Sequence, residues 1–200
     1  GSWAITPTTA LAEGLSTLSV KATDPAGNTS AATPVPVTID TTAPAAPTVT
    51  AQDTNDSTPV ITGTATLGAG ETLQVTVNGA TYNVTVGLGG LWSLNTGATA
   101  PVSGTLGAFV DGQTYAVTAT VTDAAGNATS DTTTSELRFD TTAPSVPTVN
   151  PVATNDSTPV ITGTANLLAG ETLTVAVNGA TYNVTVASNG TWRLDTGATT

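Results

Sequence analysis

The chain has 200 residues, of which 14 are Asp or Glu and 3 are Lys or Arg, so its net charge is −11. So acidic a chain lacks the basic patches that nucleic acids and anionic membranes require, and no apolar run is long enough to insert into a bilayer. Neither Cys nor His is present, which excludes disulfides, thiol chemistry and the usual zinc ligands.

A repeat of 100 residues organises the sequence. The motif Asp-Thr-Thr-Ala-Pro begins at Asp40 and again at Asp140. Of the 60 positions from 40 to 99, 44 are identical to their counterparts from 140 to 199. So regular a spacing is typical of tandem modules.

The repeat predicts one complete module and two partial ones. Residues 1–39 align with the end of a module, Trp3 with Trp92, and are expected to form its C-terminal part. Residues 40–139 form a complete module, and 140–200 form the N-terminal part of the next. We expect the chain to be an internal piece of a longer protein.

Seven β-strands are predicted in the complete module, because apolar and polar residues alternate with a period of two and no window has helical periodicity. The predicted strands A to G span 48–52, 58–66, 72–77, 81–86, 91–94, 114–122 and 132–139. Asn78-Gly79, between strands C and D, predicts a tight type I′ hairpin. Seven Thr- and Val-rich strands in about 100 residues predict an all-β fold of tandem immunoglobulin-like β-sandwiches, with another antiparallel sandwich topology as the alternative.

Two tryptophans recur at equivalent positions. Trp92 and Trp192 each follow a glycine on a short strand, and we interpret them as core residues. The alternative is a sugar-stacking platform, which would need exposed aromatic side chains.

Acidic and amide side chains concentrate around each Asp-Thr-Thr-Ala-Pro joint, whose prolines predict a short, semi-rigid linker. With strands alternating in direction, the A–B loop and the end of strand G lie at one end of a module, and the B–C and F–G loops lie at the other. Calcium takes six to eight oxygen ligands of irregular geometry, so facing ends of two modules could bind it at their joint. The candidate ligands are Asp40, Asp140, Asp123, Asn127, Asn55, Asp56, Asp156, Glu71, Glu171 and Asp24.

A local structural role is the alternative for each of these side chains. Asn55-Asp56-Ser57 would form an Asx-turn, and 123–127 an ordinary β-turn. Asp40 would cap the amides of the threonines that follow it. Glu71 and Glu171 would be solvated loop residues.

Enzymatic activity is not expected of this segment. Nucleophilic triads need His or Cys, which are absent. Paired carboxylates of the glycosidase kind need a deep cleft, which small sandwiches with short loops rarely provide.

Four motifs, taken in order, resemble those of bacterial immunoglobulin-like repeats in giant surface adhesins and biofilm-associated proteins, many of them exported by type I secretion. They are Asp-Thr-Thr-Ala-Pro-x-x-Pro, Asn-Asp-Ser-Thr-Pro-Val-Ile-Thr-Gly-Thr at 55–64, a Gly-x-Trp strand and Asp-x-Ala-Gly-Asn. The resemblance implies a secreted stalk at the bacterial cell surface, in which calcium at module junctions stiffens the array and projects a distal adhesive domain. Matched residue by residue, it points to Asp40, Asp140 and the loop around Asp123 and Asn127.

Three functional hypotheses are open at this point. The leading one is a structural extender whose partners are the neighbouring modules of the same chain. The second is a module that itself binds a glycan or a protein. The third is a head-to-tail filament, in which the partial module 1–39 of one chain completes the partial module 140–200 of another by strand addition.

Overall fold

The computed structural model describes Ser2 and residues 4–198 and divides into two compact units, Gly1–Thr141 and Thr142–Thr200. Nearly all regular structure is β, so the predicted all-β class is confirmed. The predicted alignment of Trp3 with Trp92 involves a residue outside the described part of the chain. Among the described residues, no helix has both the length and the apolar character needed to cross a membrane.

Within the described residues, thirteen strands lie in the first unit and five in the second. Those of the first unit are β1 (Gly14–Val20), β2 (Thr33–Ile39), β3 (Thr48–Val49), β4 (Gln52–Thr54), β5 (Val60–Thr64), β6 (Thr72–Val77), β7 (Ala80–Val84), β8 (Leu91–Asn95), β9 (Ser103–Gly104), β10 (Thr114–Tyr115), β11 (Val117–Thr122), β12 (Ala128–Ser130) and β13 (Leu137–Phe139). Those of the second unit are β14 (Thr148–Val149), β15 (Val160–Thr164), β16 (Leu173–Val177), β17 (Ala180–Val184) and β18 (Thr191–Asp195).

The complete module is a β-sandwich. One sheet has the strand order β3-β5-β8, and the other has the order β12-β11-β6-β7-β9. A third ladder, β10-β13-β4, extends the second sheet because β10 leads into β11 along the chain. Predicted strand A contributes to both sheets, because it corresponds to two observed strands. Of these, β3 pairs with β5 in the first sheet, and β4 pairs in parallel with β13 in the third ladder.

The core of this sandwich lies between the two sheets and is built from alternate strand residues. Val75 and Val77 of β6 are 0% exposed, and they pack in one cluster with residues of both sheets, including Trp92. Trp92 and Trp192 are each 3% exposed, so the prediction that they are core residues is confirmed. The sugar-platform alternative is wrong for both.

The hairpin between β6 and β7 has the predicted form. Asn78 and Gly79 both have positive φ, 42° and 90°, and Val77 pairs with Ala80 across the turn. A type I′ turn requires this conformation at both central positions. The bounds predicted for strand C, 72–77, are those of β6.

The prediction of a continuous strand G over 132–139 is wrong. The chain pairs earlier, as β12, then leaves the ladder and returns only at β13. Two carboxylates take the place of the missing ladder carbonyls: Asp131 Oδ1 accepts the Ala119 N–H at 2.7 Å and Glu136 Oε2 accepts the Val117 N–H at 2.8 Å.

Glu136 is buried, at 2% exposure. Burial opposes its ionisation, but the N–H of Val117 and further donors outweigh that effect and hold the pKa of Glu136 below its ordinary value. An ionised carboxylate therefore closes the gap in this ladder.

The segments on either side of residues 40–139 contain strand pairs like those of the β-sandwich. In the first unit, β1 and β2 form an antiparallel hairpin over seven pairs, from Gly14 opposite Ile39 to Val20 opposite Thr33. In the second unit, β14-β15-β18 and β16-β17 form the counterparts of β3-β5-β8 and β6-β7.

Candidate functional site

The linker after the first partial module is held by Glu13. Its carboxylate accepts the Thr41 N–H, 3.0 Å from Oε2, and also the hydroxyls of Thr41 and Thr42. The hydrogen bond from the Thr41 hydroxyl is the main reason why the pKa of Glu13 lies below its ordinary value, while desolvation acts in the opposite direction. An ionised Glu13 thus fixes both threonines of the motif.

The second joint repeats this contact with a different acid. Asp111 Oδ1 accepts the Thr141 N–H at 2.6 Å and the Thr141 hydroxyl at 2.9 Å. Sequence reasoning missed both Glu13 and Asp111 as joint residues. A signal was available: each acid directly precedes a glycine, Gly14 or Gly112, near the start of the strand that leads into the Asp-x-Ala-Gly-Asn loop.

Aromatic packing positions the loop that carries Asp111. Phe109 lies edge-on to Tyr115, with ring centroids 4.9 Å apart, and stacks on Phe139 at 5.7 Å. The Tyr115 hydroxyl accepts the Val110 N–H at 2.8 Å. These contacts leave the Asp111 loop little freedom next to the last strand of the module.

The two Asp-x-Ala-Gly-Asn loops have the same geometry. Asp24 Oδ1 accepts the Asn28 N–H at 2.8 Å and Oδ2 accepts the Asn28 amide group at 2.8 Å; Asp123 makes the same two bonds with Asn127 at the same distances. The bond from the Asn side chain is the largest cause of a pKa below the ordinary value for Asp24 and for Asp123. Both loops therefore form the local turn that was the alternative to a calcium site, and the aspartate of each loop is ionised.

The second of these loops also reaches the joint. Asn127 Nδ2 donates to the main-chain oxygen of Asp40 at 3.0 Å and to Asp123 Oδ2 at 2.8 Å. Since one amide group bonds to both, the Asp40 carbonyl and the Asp123 carboxylate lie close together. The Asp40 carboxylate itself accepts the Thr42 N–H at 3.0 Å, as the capping alternative predicts.

The remaining candidates make local contacts. Asp56 Oδ1 accepts the Thr58 N–H at 2.8 Å, and Asp156 makes the equivalent bond to Thr158 at 2.9 Å. Both are the Asx-turns that the alternative predicts. The structure gives Asn55 an exposed position.

Glu71 and Glu171 fold back on their own loops. Glu71 Oε2 accepts the Gly68 N–H and Glu171 Oε2 accepts the Leu168 N–H, both at 2.7 Å. A Cβ added at Gly70 would lie 3.6 Å from Ala124, so the B–C and F–G loops adjoin as predicted.

Asp140 differs from Asp40 in having a basic neighbour. Its carboxylate forms an ion pair with Arg138, 2.7 Å between Oδ2 and the guanidinium, where the first partial module has Thr38. Its N–H donates to the Thr54 carbonyl at 2.9 Å, so the end of β13 and the A–B loop share one end of the module, as predicted.

The oxygen donors at the first joint are of the kinds that calcium accepts: carboxylate, amide and main-chain carbonyl. Among the described residues, no three acidic side chains come close enough to bind a metal by themselves. A calcium ion at this joint would therefore need main-chain, amide and water oxygens besides carboxylates. The donor chemistry fits calcium and does not fit zinc or copper.

Comparison with known families agrees with this architecture. The sequence model of the bacterial Ig-like domain family matches residues 1–41 and 48–141. The chain belongs to this family. The resemblance drawn from the four motifs is thereby confirmed.

One solved structure similar to these bacterial Ig-like modules is described as a tetra-tandem repeat in the extending region of a large adhesion protein. It is 24% identical, with a TM-score of 0.32, and the match covers 93% of this chain and 49% of that one. The present chain thus spans about half the length of that structure. No curated protein matches the sequence significantly.

Proposed function

We propose that this bacterial Ig-like chain is a non-catalytic extender segment of a secreted adhesin at the bacterial cell surface, and that calcium at its joints stiffens the array and helps to project a distal adhesive domain. The observation that supports it most is the linker at Asp40. Glu13, from the preceding module, binds Thr41, while Asn127, from the following module, binds the Asp40 main chain. Because both neighbours hold the same linker, it transmits force without swinging freely.

The proposed calcium ion binds the oxygen atoms that lie around the Asn127 amide group. An ion there would be held by Asp123, by the Asp40 carbonyl and by the amide oxygen of Asn127 once that group has turned over. Amide orientation follows the surrounding hydrogen bonds, so such a change needs no movement of the backbone. The high negative charge of the chain favours binding a divalent cation.

Thermal unfolding with and without calcium tests this proposal. Binding to the folded state alone stabilises it by about 2.7 kcal/mol at a calcium concentration 100 times Kd. For a module of about 100 residues, this gain in stability corresponds to a rise in Tm of about 10 °C or more. Asp123→Asn should remove most of this rise, because it removes the only carboxylate in the proposed set.

The repeat supplies a matched control, Asp24→Asn. Asp24 makes the same turn as Asp123, but within the described residues its Asn28 makes no bond like that of Asn127 to a linker. This variant should keep the calcium-induced rise in Tm. A wild-type Tm that calcium does not change, or an equal rise in Asp123→Asn, would contradict the proposal.

A further inference from the structure

The strand pair β4–β13 lies on the path of a pull along the chain. Among the strand pairs of the described residues, it is the only parallel one. The linker at Asp40 leads through β3 into β4, and β13 leads directly into Asp140. Tension on the complete module therefore pulls backwards at the start of β4 and forwards at the end of β13.

Such a pull loads this pair in shear. Because the two strands point the same way, tension at the two joints drives them past each other along their length. At one end of the pair, the Gln52 N–H donates to the Glu136 carbonyl at 2.7 Å. At the other end, the Asp140 N–H donates to the Thr54 carbonyl at 2.9 Å. Sliding stretches both bonds at once, so they resist together instead of breaking one after the other.

The other strands of the complete module are loaded less directly. Tension reaches β3 first, but β3 pairs with β5 over only two residue pairs, and its loss leaves β4 in place. The longer pairs β6–β7 and β6–β11 connect to the rest of the chain through loops inside the module. Tension therefore reaches them only after β4 or β13 has come away.

Of the two strands, β13 is the more firmly held. It lies between β10 and β4, whereas β4 is at the edge of this ladder. Leu137 and Phe139 of β13 are 1% and 8% exposed, so the strand is also fixed by the core. Under tension β4 should slide first, and the resistance depends on how firmly its hydrogen-bond partners on the β13 side are fixed.

Glu136 fixes the first of these partners. Its main-chain oxygen accepts the Gln52 N–H, while its side-chain Oε2 accepts the Val117 N–H at 2.8 Å. Val117 belongs to β11, which lies between β12 and β6 in the larger sheet. Hydrogen bonds to an ionised carboxylate are stronger than those between neutral groups. One buried residue thus connects β4 to a central strand of the sandwich.

We propose that β4 and β13 are the load-bearing pair of the complete module, and that the Glu136 side chain anchors this pair to β11. The inference rests on the proposed extender function, because a stalk has to carry tension. It does not involve calcium, so its tests are made in the presence of a chelator. Failure of calcium stiffening and failure of the load-bearing pair are then separate results.

The direction of pulling tests the load-bearing pair. With handles at the two ends of the 200-residue chain, the complete module should unfold under constant force in a step of roughly 300 Å, the length of about 90 extended residues. The chain has no Cys, so one handle can instead be attached at Asn55→Cys, an exposed position just after β4. Pulling between this residue and the C-terminal end separates the two strands from their common end.

In this second geometry the bonds of the pair break one at a time. Unfolding at the same force should therefore be faster by roughly tenfold or more. The load-bearing pair keeps its native residues in both measurements, so a folding defect cannot explain a difference. Equal unfolding rates in the two directions would overturn the inference.

Two alanine variants test the anchor under end-to-end tension. Glu136→Ala removes the acceptor of the Val117 N–H. Its matched control, Asp131→Ala, removes the acceptor of the Ala119 N–H, on the same strand β11. In the described part of the chain Asp131 makes no bond to β4, so both variants should lower Tm but only Glu136→Ala should speed forced unfolding. We expect an acceleration of roughly tenfold, against about twofold at most for Asp131→Ala.

The Tm of each variant separates the anchor from a general loss of stability. An Asp131→Ala chain that melts as early as Glu136→Ala, yet unfolds under tension at nearly the wild-type rate, would support the anchor. Equal acceleration by both variants, or none in Glu136→Ala, would overturn it. Glu136→Gln keeps the shape of the side chain and removes its charge, and it replaces Glu136→Ala if that chain does not fold. A wild-type rate in Glu136→Gln would then overturn the anchor.

Discussion

At the scale of single residues, the joints depend on carboxylates that accept hydrogen bonds from the linker. Glu13 and Asp111 differ in length, yet both bind the first threonine of the Asp-Thr-Thr motif through its N–H and its hydroxyl. Bonds of this kind to an ionised group are stronger than those between neutral groups. The order of the first joint should therefore depend on the ionisation of Glu13.

Acid should release the Thr41 bond at a defined pH. Because the pKa of Glu13 is lowered in the folded chain, its contribution to stability is complete above the ordinary Glu value of 4.5 and is lost as the pH falls through the lower, folded value. The amide-proton shift of Thr41 in an NMR titration should change with a midpoint below 4.5. In Glu13→Gln this transition should be absent.

The Asp24 loop provides the internal control for that titration. The Asn28 amide, which is bonded to Asp24, should still titrate in Glu13→Gln. A Thr41 midpoint at or above the ordinary Glu value, or an unchanged Thr41 titration in Glu13→Gln, would argue against the contact.

At the scale of elements, a glycine on β5 makes room for the tryptophan of β8. Gly63 pairs with Trp92 across the two strands. A Cβ at this position would overlap the Thr48 carbonyl and would lie 2.6 Å from Trp92 Cε2. Gly163 and Trp192 repeat the arrangement in the second unit.

Gly63→Ala should therefore destabilise the complete module. Overpacking of this kind costs about 1 to 3 kcal/mol, and here main-chain atoms block relaxation, so we expect the upper part of that range. Calorimetry should show a Tm lowered by about 10 °C or more. Gly87→Ala is the control, because its Cβ would make only an ordinary 3.4 Å contact and its φ is −87°; an equal loss in both variants would refute the packing argument.

The sequence predicted correctly those elements that depend on residues close together along the chain. The alternation of β6, the Asn78-Gly79 turn and the buried Trp92 all follow from the residues themselves. The interruption of strand G could not be predicted in this way. There the side chains of Asp131 and Glu136 replace ladder carbonyls, and the alternation of apolar and polar residues gives no sign of such a replacement. The bond between Asn127 and Asp40 joins residues 87 positions apart, so it becomes visible only in the fold.

At the scale of the whole molecule, the proposed function is that contacts at each joint stiffen the array of modules. The linker at Asp40 is bonded by Glu13 on one side and by Asn127 on the other. Calcium at this place would add strong oxygen contacts where hydrogen bonds already converge. In the proposed function, this arrangement makes the joint rigid.

The distribution of distances across the first joint measures that rigidity directly. Spin labels at Ser19→Cys and Ser93→Cys, one in the hairpin and one in the complete module, would report it by pulsed electron resonance, with the labelled chain diluted into unlabelled protein. Calcium should narrow the distribution in the otherwise native chain and leave it broad in Asp123→Asn. A distribution of the same width with and without saturating calcium would contradict the account.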